Sequence, residues 1–165
     1  MTGNDVAAAD FYGTPDGLET FLPDEAATIN LGRQLAAALR QGGSVHLHGD
    51  LGAGKTTLVR ALLHQLGHDG PVRSPTYALV ETYDIHGLAV YHLDLYRTAD
   101  PDELEFIGLR DWLRPGNLIL IEWPERAAGY LPAPGLRIDL AHADDGRRVR
   151  LSGPLAAGLS LPDAW

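Results

Sequence analysis

The chain of 165 residues contains no cysteine, no long apolar run and few basic residues. Without cysteine it has no disulfides, no thiolate metal ligands and no cysteine nucleophile, so any chemistry must come from oxygen, nitrogen and a metal ion. No apolar run is long enough to span a bilayer, and no segment has the pattern of a signal peptide. We therefore expect a cytoplasmic protein that does not contact a membrane.

Positive charge is scarce, because 13 lysines and arginines face 22 aspartates and glutamates, for a formal net charge of -9. Such an excess of negative charge repels polyanions and disfavours extensive nucleic-acid binding by this chain alone. The densest basic run is Arg147, Arg148 and Arg150. Because these arginines alternate along a predicted strand, we interpret them as a solvent-exposed face in preference to a binding site.

The length fits one compact domain, and composition divides the chain into three parts. Residues 1–17 are rich in Ala, Gly and Asp without a periodic apolar face, so we expect a flexible extension. We assign residues 18–153 to the folded domain and residues 154–165 to a C-terminal tail.

One motif is complete. The residues from Gly49 to Thr56, GDLGAGKT, match G-x-x-x-x-G-K-[ST] between a predicted strand, Val45–His48, and an amphipathic helix, Lys55–Leu66. In such a phosphate loop the backbone N–H groups and the helix N-terminus face phosphate oxygens. We therefore predict a bound nucleoside triphosphate, with contacts from Asp50, Leu51, Gly52, Ala53, Gly54, Lys55, Thr56 and Thr57. Lys55 is expected to bridge the β- and γ-phosphates, and the Thr56 hydroxyl to hold Mg²⁺. ATP is preferred to GTP, because the chain has no Asn-Lys-x-Asp segment.

The other predicted elements complete an α/β fold. Pro23, Asp24 and Glu25 are expected to form the first turn of a helix that Gly42 and Gly43 stop. Further along we predict a hairpin across His86-Gly87, with strands Tyr77–Ile85 and Leu88–Arg97. A short helix from Pro101 follows, with Leu104, Ile107 and Leu109 inward. The last elements are a buried parallel strand, Asn117–Ile121, and a hairpin of Gly135–Ala141 with Arg147–Leu151. The fold class is a P-loop NTPase-type three-layer sandwich whose mixed sheet carries antiparallel hairpins.

A phosphate loop needs a carboxylate near the metal, usually at the tip of a buried strand. Glu122 follows the apolar run Leu118–Ile121, and we assign it to Mg²⁺ in preference to a simple helix-start carboxylate. Asp94 lies within a second strand, where it either positions water or the metal shell or faces solvent as an ordinary strand residue.

Several other residues remain open from the sequence. Ser74-Pro75-Thr76 is either a switch loop that senses the γ-phosphate or a simple turn. Three arginines are either γ-phosphate ligands or surface groups: Arg97, Arg110 and Arg126. His46 and His48 would share one strand face but have no third ligand at metal-site spacing, and Trp123 is either core or an exposed contact.

Six segments together resemble the bacterial TsaE family over roughly residues 20 to 153. They are Leu22-Pro23-Asp24-Glu25, GDLGAGKTT from Gly49, SPTYALVETY from Ser74, YHLDLYR from Tyr91, DPDELEFIGLRD from Asp100 and IEWPER from Ile121. The resemblance implies a small P-loop ATPase that acts with TsaB and TsaD in making threonylcarbamoyladenosine next to the anticodon of tRNA. It also implies that tRNA is an indirect partner, reached through the partner complex.

The resemblance also implies roles for individual residues. Gly52, Ala53, Gly54 and Lys55 would bind phosphates, and Thr56 and Glu122 would coordinate Mg²⁺. Asp94 would serve hydrolysis, Thr76 would belong to a mobile catalytic loop, and Glu25 and Gly146 would approach the nucleotide base. ATP and Mg²⁺ are the expected cofactors.

Two other functions remain compatible with the phosphate loop. A small-molecule kinase would need an arginine-rich lid, and the predicted hairpin directly after the phosphate-loop helix speaks against it. A nucleotide-gated adaptor would use ATP binding alone to set a shape that partners recognise.

Overall fold

A computed structural model describes residues 17–75, 79–98, 100–106 and 108–165. Seven strands form one mixed sheet in the order β1-β7-β6-β2-β5-β4-β3. The strands are β1 Leu18–Leu22, β2 Gly43–His48, β3 Val80–Ile85, β4 Leu88–Asp94, β5 Leu118–Glu122, β6 Leu136–Ala143 and β7 Gly146–Ser152. The helices are α1 Glu25–Leu39, α2 Lys55–Leu66, α3 Glu103–Phe106 and α4 Leu109–Trp112, with 3-10 turns at Pro124–Ala127 and Pro154–Gly158.

The centre of the sheet is parallel and both of its sides are antiparallel. β6, β2, β5 and β4 run in one direction, while β3 pairs with β4, and β7 with β6 and β1, in antiparallel register. The carboxyl ends of the parallel strands therefore meet at one end of the sheet. The phosphate loop follows β2 at that end, as binding sites do in parallel α/β sheets.

β5 is buried on both faces, which confirms the predicted parallel core strand. Leu118 and Leu120 contact the larger apolar core, which α1 and α2 cover, and Ile119 and Ile121 contact a smaller core under α3 and α4. Helices thus lie on both faces of the sheet, and the three-layer α/β prediction is confirmed.

α1 begins at Glu25, two residues after the predicted start at Pro23. Asp24 lies before the helix in an extended conformation, and its Oδ1 accepts a hydrogen bond of 2.8 Å from the Ala27 N–H. A carboxylate in this N-cap position satisfies a helix-end donor, so Asp24 stabilises α1 from outside its first turn.

The first hairpin has the predicted two-residue turn. His86 and Gly87 both have positive φ, 51° and 89°, as the tight turns that suit twisted hairpins require. Its second strand stops at Asp94 rather than Arg97, because the chain turns there: the Tyr96 N–H donates to Asp94 Oδ1 and the Thr98 N–H to the Leu95 carbonyl, both at 3.0 Å. Tyr77, expected to begin β3, lies outside the described residues.

The helix predicted from Pro101 is two short helices. Gly108 between them has a φ of 86°, which ends α3 and begins α4. Leu104 and Leu109 are buried as expected, and Ile107 lies outside the described residues.

The basic run of β7 does not form one solvent-exposed face. Arg148 is exposed and donates to Glu19 at 3.0 Å, but Arg150 is only 7% exposed, and Arg147 points to the opposite sheet face, where it contacts the phosphate loop. Strand alternation separates Arg147 from its neighbours. The interpretation is therefore wrong for Arg147 and Arg150.

The C-terminal residues pack against the domain. Leu155, Leu159, Leu161 and Trp165 contact the larger core, and the Trp165 indole donates to the Thr20 hydroxyl at 2.9 Å. Residues 1–16 lie outside the description, so the flexible extension and the domain boundaries stay predictions. Within the described ranges, no helix has the length and apolar character needed to cross a membrane.

Candidate nucleotide-binding site

The phosphate loop depends on glycine conformations. Gly49, Gly52 and Gly54 have φ angles of 154°, 76° and 107°, which side chains rarely permit. Gly54 is the N-cap of α2, and the Ala53 N–H donates to the Asp50 carbonyl at 3.1 Å inside the loop. The loop is therefore a tight backbone turn that leads directly into the positive end of α2.

Lys55, the only lysine of the chain, lies at the first position of α2 and is only 5% exposed. Its Nζ donates to the Gly49 carbonyl and lies 3.6 Å from the centroid of the Trp123 ring. Burial lowers the pKa of Lys55, against the opposing field of Glu122 and other nearby carboxylates. A carbonyl and an aromatic face thus hold this ammonium where phosphate oxygens could replace them.

Thr56 and Glu122 meet across the gap between α2 and β5. The Thr56 hydroxyl lies 2.6 Å from the Ser74 hydroxyl and donates to Glu122 Oε1 at 3.2 Å. Glu122, 2% exposed, also has its Oε2 at 2.6 Å from His92 Nε2. The carboxylate is therefore fixed on both oxygens, and Ser74 belongs to this group.

Asp94 ends β4 directly opposite Glu122 in the parallel register. Burial raises the pKa of Asp94, although the Tyr96 N–H donates to its Oδ1 at 3.0 Å and opposes the shift; Glu122 raises the pKa further. The Asp94 carboxylate is thus a stronger proton acceptor than an ordinary aspartate.

Two cavities adjoin the loop. The lysine cavity, about 220 Å³, is lined by Leu51, Gly52, Gly54, Lys55, Thr56, Thr57, Ser74, Asp94, Glu122 and Trp123. The edge cavity, about 340 Å³, is lined by Leu22, Asp24, Glu25, Thr28, Gly52, Ala53, Gly54, Thr57, Asp145, Gly146 and Arg147. They share the lining residues Gly52, Gly54 and Thr57, so the two cavities lie side by side where the loop enters α2.

The predicted site residues separate between these cavities. The expected phosphate, metal and hydrolysis residues Lys55, Thr56, Asp94 and Glu122 line the lysine cavity, and Glu25 and Gly146 line the edge cavity. Contact with a nucleotide stays a prediction for all of them. Asp50 is exposed and contributes its carbonyl to the loop, while Thr76 lies outside the described residues.

The three candidate arginines are not equivalent. The Arg126 guanidinium lies 5.6 Å and 5.9 Å from the ring centroids of Tyr96 and Trp123, beside the lysine cavity. Arg110 is exposed and donates to Glu105, and Arg97 lies in the turn after β4. Arg126 is therefore the candidate arginine that lies beside the Trp123 wall of the lysine cavity.

His46 and His48 do share a face of β2, opposite to the phosphate-loop helix. His46 is 7% exposed, and its Nε2 has no hydrogen-bond partner among the described residues. Burial, followed by His48 and Arg137, lowers the pKa of His46 to about 4. His48 lies 3.3 Å from Glu125. No group of three or more histidine, cysteine, aspartate or glutamate side chains that could hold a metal ion occurs among the residues that the structure describes.

Sequence reasoning missed three contributors to the site. His92 holds Glu122, and its position two residues before Asp94 on a strand, hence on the same face, was an available signal. Trp123, left undecided, covers Lys55. Arg147 donates to the carbonyls of Gly52 and Ala53, and a contact over this sequence distance leaves no local signal.

The donor set of the lysine cavity suits magnesium. Thr56, Ser74, Asp94 and Glu122 offer only hydroxyl and carboxylate oxygens, which a hard divalent cation prefers. The residues present therefore fit the metal that a phosphate loop uses.

Comparison with known proteins gives one consistent result. Residues 22–158 match the family model described as threonylcarbamoyl adenosine biosynthesis protein TsaE. The tRNA threonylcarbamoyladenosine biosynthesis protein TsaE of Haemophilus influenzae is 42% identical over 91% of this chain and 98% of its own length. The protein of the same name from a Nostoc species is 40% identical, over 78% and 80%. The crystal structure of Bacillus subtilis YdiB superposes with a TM-score of 0.69 at 27% identity, covering 82% of this chain and 84% of that one.

Proposed function

Because this chain belongs to the TsaE family, we propose that it is an Mg²⁺-dependent ATPase that supports threonylcarbamoyladenosine formation next to the anticodon of tRNA. We further propose that it works in the cytoplasm with TsaB and TsaD, and that tRNA is reached through that complex. The family's curated relatives carry the name of this tRNA modification, which supports the pathway.

The observation that carries the proposal is the convergence on one cavity of a buried lysine, a hydroxyl and two carboxylates. Lys55 and Thr56 come from the start of α2, Asp94 from β4 and Glu122 from β5. These are the groups that phosphoryl transfer to water requires: a cation for the phosphates, oxygen ligands for a metal and an acceptor for water.

Binding of the triphosphate follows from the loop. Its N–H groups and the N-terminus of α2 face the phosphates, and Lys55 exchanges its contacts with Gly49 and Trp123 for phosphate oxygens. The base and ribose then extend past Gly54 into the edge cavity, beside Glu25 and Gly146.

Hydrolysis uses Asp94. The raised pKa of this carboxylate suits it to accept a hydrogen bond from the attacking water and to orient that water toward the γ-phosphate. Thr56 and Glu122 would hold Mg²⁺, and His92 fixes the carboxylate for that role. When bound, the metal neutralises charge on the phosphate oxygens.

The experiment measures phosphate release from ATP by the purified chain, alone and with TsaB and TsaD, with and without Mg²⁺. We expect weak release by the chain alone, stimulation by the pair, and roughly 100-fold loss in Lys55→Ala and in Asp94→Asn. Asp94→Asn should still bind ATP, since only water orientation is lost.

Matched measurements give the result its meaning. Arg148→Met removes an exposed positive charge without touching either cavity and should hydrolyse ATP like the parent. Release in Lys55→Ala equal to that of the parent would remove the site assignment. Release indifferent to TsaB and TsaD would contradict the partner coupling and favour a kinase or adaptor role.

A further inference from the structure

We infer that Arg147 is a positioning residue of the phosphate loop, which holds the loop in its nucleotide-binding conformation from outside the cavity of the phosphates. The inference rests on the proposed function, because it concerns binding at the same site. Arg147 is the second residue of β7 and lies 91 residues after Thr56, the last residue of the phosphate-loop motif.

The contact has two points of attachment. Arg147 Nε donates to the Ala53 carbonyl at 3.1 Å and Nη2 donates to the Gly52 carbonyl at 3.0 Å. Nη1 donates to the carbonyl of the neighbouring Gly146 at 3.0 Å, which uses the third edge of the guanidinium. Such a planar fork fixes direction as well as distance, which a lysine cannot do.

The direction matters because of peptide geometry. In a trans peptide unit the C=O and the following N–H point in opposite directions. With the Ala53 carbonyl held by Arg147, the Gly54 N–H points away from the guanidinium, and it donates to no backbone carbonyl of the described residues. The guanidinium also cancels the partial negative charge of two carbonyls close to where phosphates would lie.

The loop needs such support because it is glycine-rich. Gly52 and Gly54 have many accessible conformations, and ordering them on binding would cost affinity. Two hydrogen bonds from one side chain restrict the loop before the nucleotide arrives. The nucleotide then meets an ordered cradle.

Arg147 can support the loop because its own backbone is fixed. β7 pairs with both β1 and β6, with Arg147 opposite Leu22 and His142. At Gly146 a side chain would meet the Leu22 carbonyl at 2.3 Å, so the start of β7 lies directly against β1. The antiparallel side of the sheet thereby braces the loop.

The test compares three variants by calorimetric titration with ADP and with ATP in the presence of Mg²⁺. Arg147→Met keeps the length of the side chain but removes all donors, Arg147→Lys keeps the charge but not the fork, and Arg148→Met removes the same charge one residue away. We expect about tenfold weaker binding in Arg147→Met, an intermediate loss in Arg147→Lys and parent-like binding in Arg148→Met.

A second readout is independent of binding. Amide hydrogen exchange of residues 49–56 in the nucleotide-free chain should be several-fold faster in Arg147→Met and unchanged in Arg148→Met. Exchange in α1 and β5 should stay at the parent rate in both. If Arg147→Met unfolds, the same two readouts on Arg147→Lys decide.

The outcomes separate the two proposals. A parent chain that binds no nucleotide overturns the proposed function and this inference with it. A parent that binds, with Arg147→Met or Arg147→Lys equal to Arg148→Met in affinity and in exchange, overturns this inference alone. Arg147→Lys equal to the parent while Arg147→Met is weak would show that charge, not positioning, is what Arg147 supplies.

Discussion

The two cavities beside the phosphate loop are built from different parts of the sheet. The lysine cavity takes its carboxylates from the central parallel strands β4 and β5. The edge cavity takes its walls from the β1–α1 junction and the turn between β6 and β7, on the antiparallel side. The central strands β4 and β5 are covered on both faces of the sheet. The walls of the edge cavity come instead from elements that lie far apart in the sequence.

Because of this difference, we expect the two cavities to have different roles. The lysine cavity holds two groups with altered pKa values, the buried Lys55 and the half-buried Asp94, and is suited to chemistry. The edge cavity holds backbone surfaces and acidic rims and is suited to recognising the rest of the nucleotide. Substitutions in the first should change turnover, and substitutions in the second should change affinity.

The largest expected effect comes from a substitution in the lysine cavity. Glu122→Gln keeps the shape and a hydrogen-bond acceptor for His92 but removes the negative charge, so we expect roughly 100-fold slower ATP hydrolysis with the fold intact. Phosphate release across Mg²⁺ concentrations measures it, and higher Mg²⁺ should recover part of the loss. Glu105→Gln is the matched control, because Glu105 is exposed, pairs with Arg110 and lines neither cavity. Equal rates in the two variants would contradict the division.

The next effect is on the free energy of unfolding, which sets the pH range in which the two cavities can be compared in the folded chain. His46 has an ordinary pKa of 6.5 that burial lowers to about 4 in the folded chain, so the unfolded chain binds the proton first. The stability due to neutral His46 is therefore complete above pH 6.5 and lost as the pH falls toward 4. Between pH 7 and pH 5 we expect the free energy of unfolding to fall by about 2 kcal/mol through this group.

Urea unfolding at both pH values measures the fall. His46→Gln should abolish this contribution, and His142→Gln, at an exposed position of β6, should retain it. A parent whose stability changes no more with pH than that of His46→Gln would show that His46 is not the group responsible.

The smallest of the expected effects comes from a substitution in the wall of the edge cavity. In Gly146→Ala the new Cβ would meet the Leu22 carbonyl at 2.3 Å and the Phe21 ring at 2.7 Å, so the start of β7 must move away from β1. We expect about tenfold weaker ATP binding, with turnover at saturating ATP within a few-fold of the parent.

Titration of ATP against each variant gives the affinity. Gly158→Ala is the matched control, because a Cβ there meets no described heavy atom within 4 Å apart from its chain neighbours and its own helical turn. A loss of turnover without loss of affinity in Gly146→Ala would reverse the roles assigned to the two cavities.

The predictable part of this molecule is the part with local periodicity or a local motif. Leu118–Ile121 is apolar at every position, which identified the buried strand and with it Glu122, and the glycines and Lys55 identified the loop. The edge cavity required pairings such as Leu22 with Arg147, which no local pattern encodes. For the same reason alternation placed Arg147, Arg148 and Arg150 on a predicted strand but did not reveal which sheet face was covered.

Lys55 gives the chain an unusual chemical selectivity. It is the only lysine, so the one side-chain primary amine of the protein stands inside the site where a triphosphate is expected. Because its pKa is lowered, the unprotonated amine that acylating reagents require is more abundant than for an exposed lysine. A reagent carrying a dye would therefore label either the chain terminus or Lys55, and protection by ATP would distinguish them in one mass spectrum.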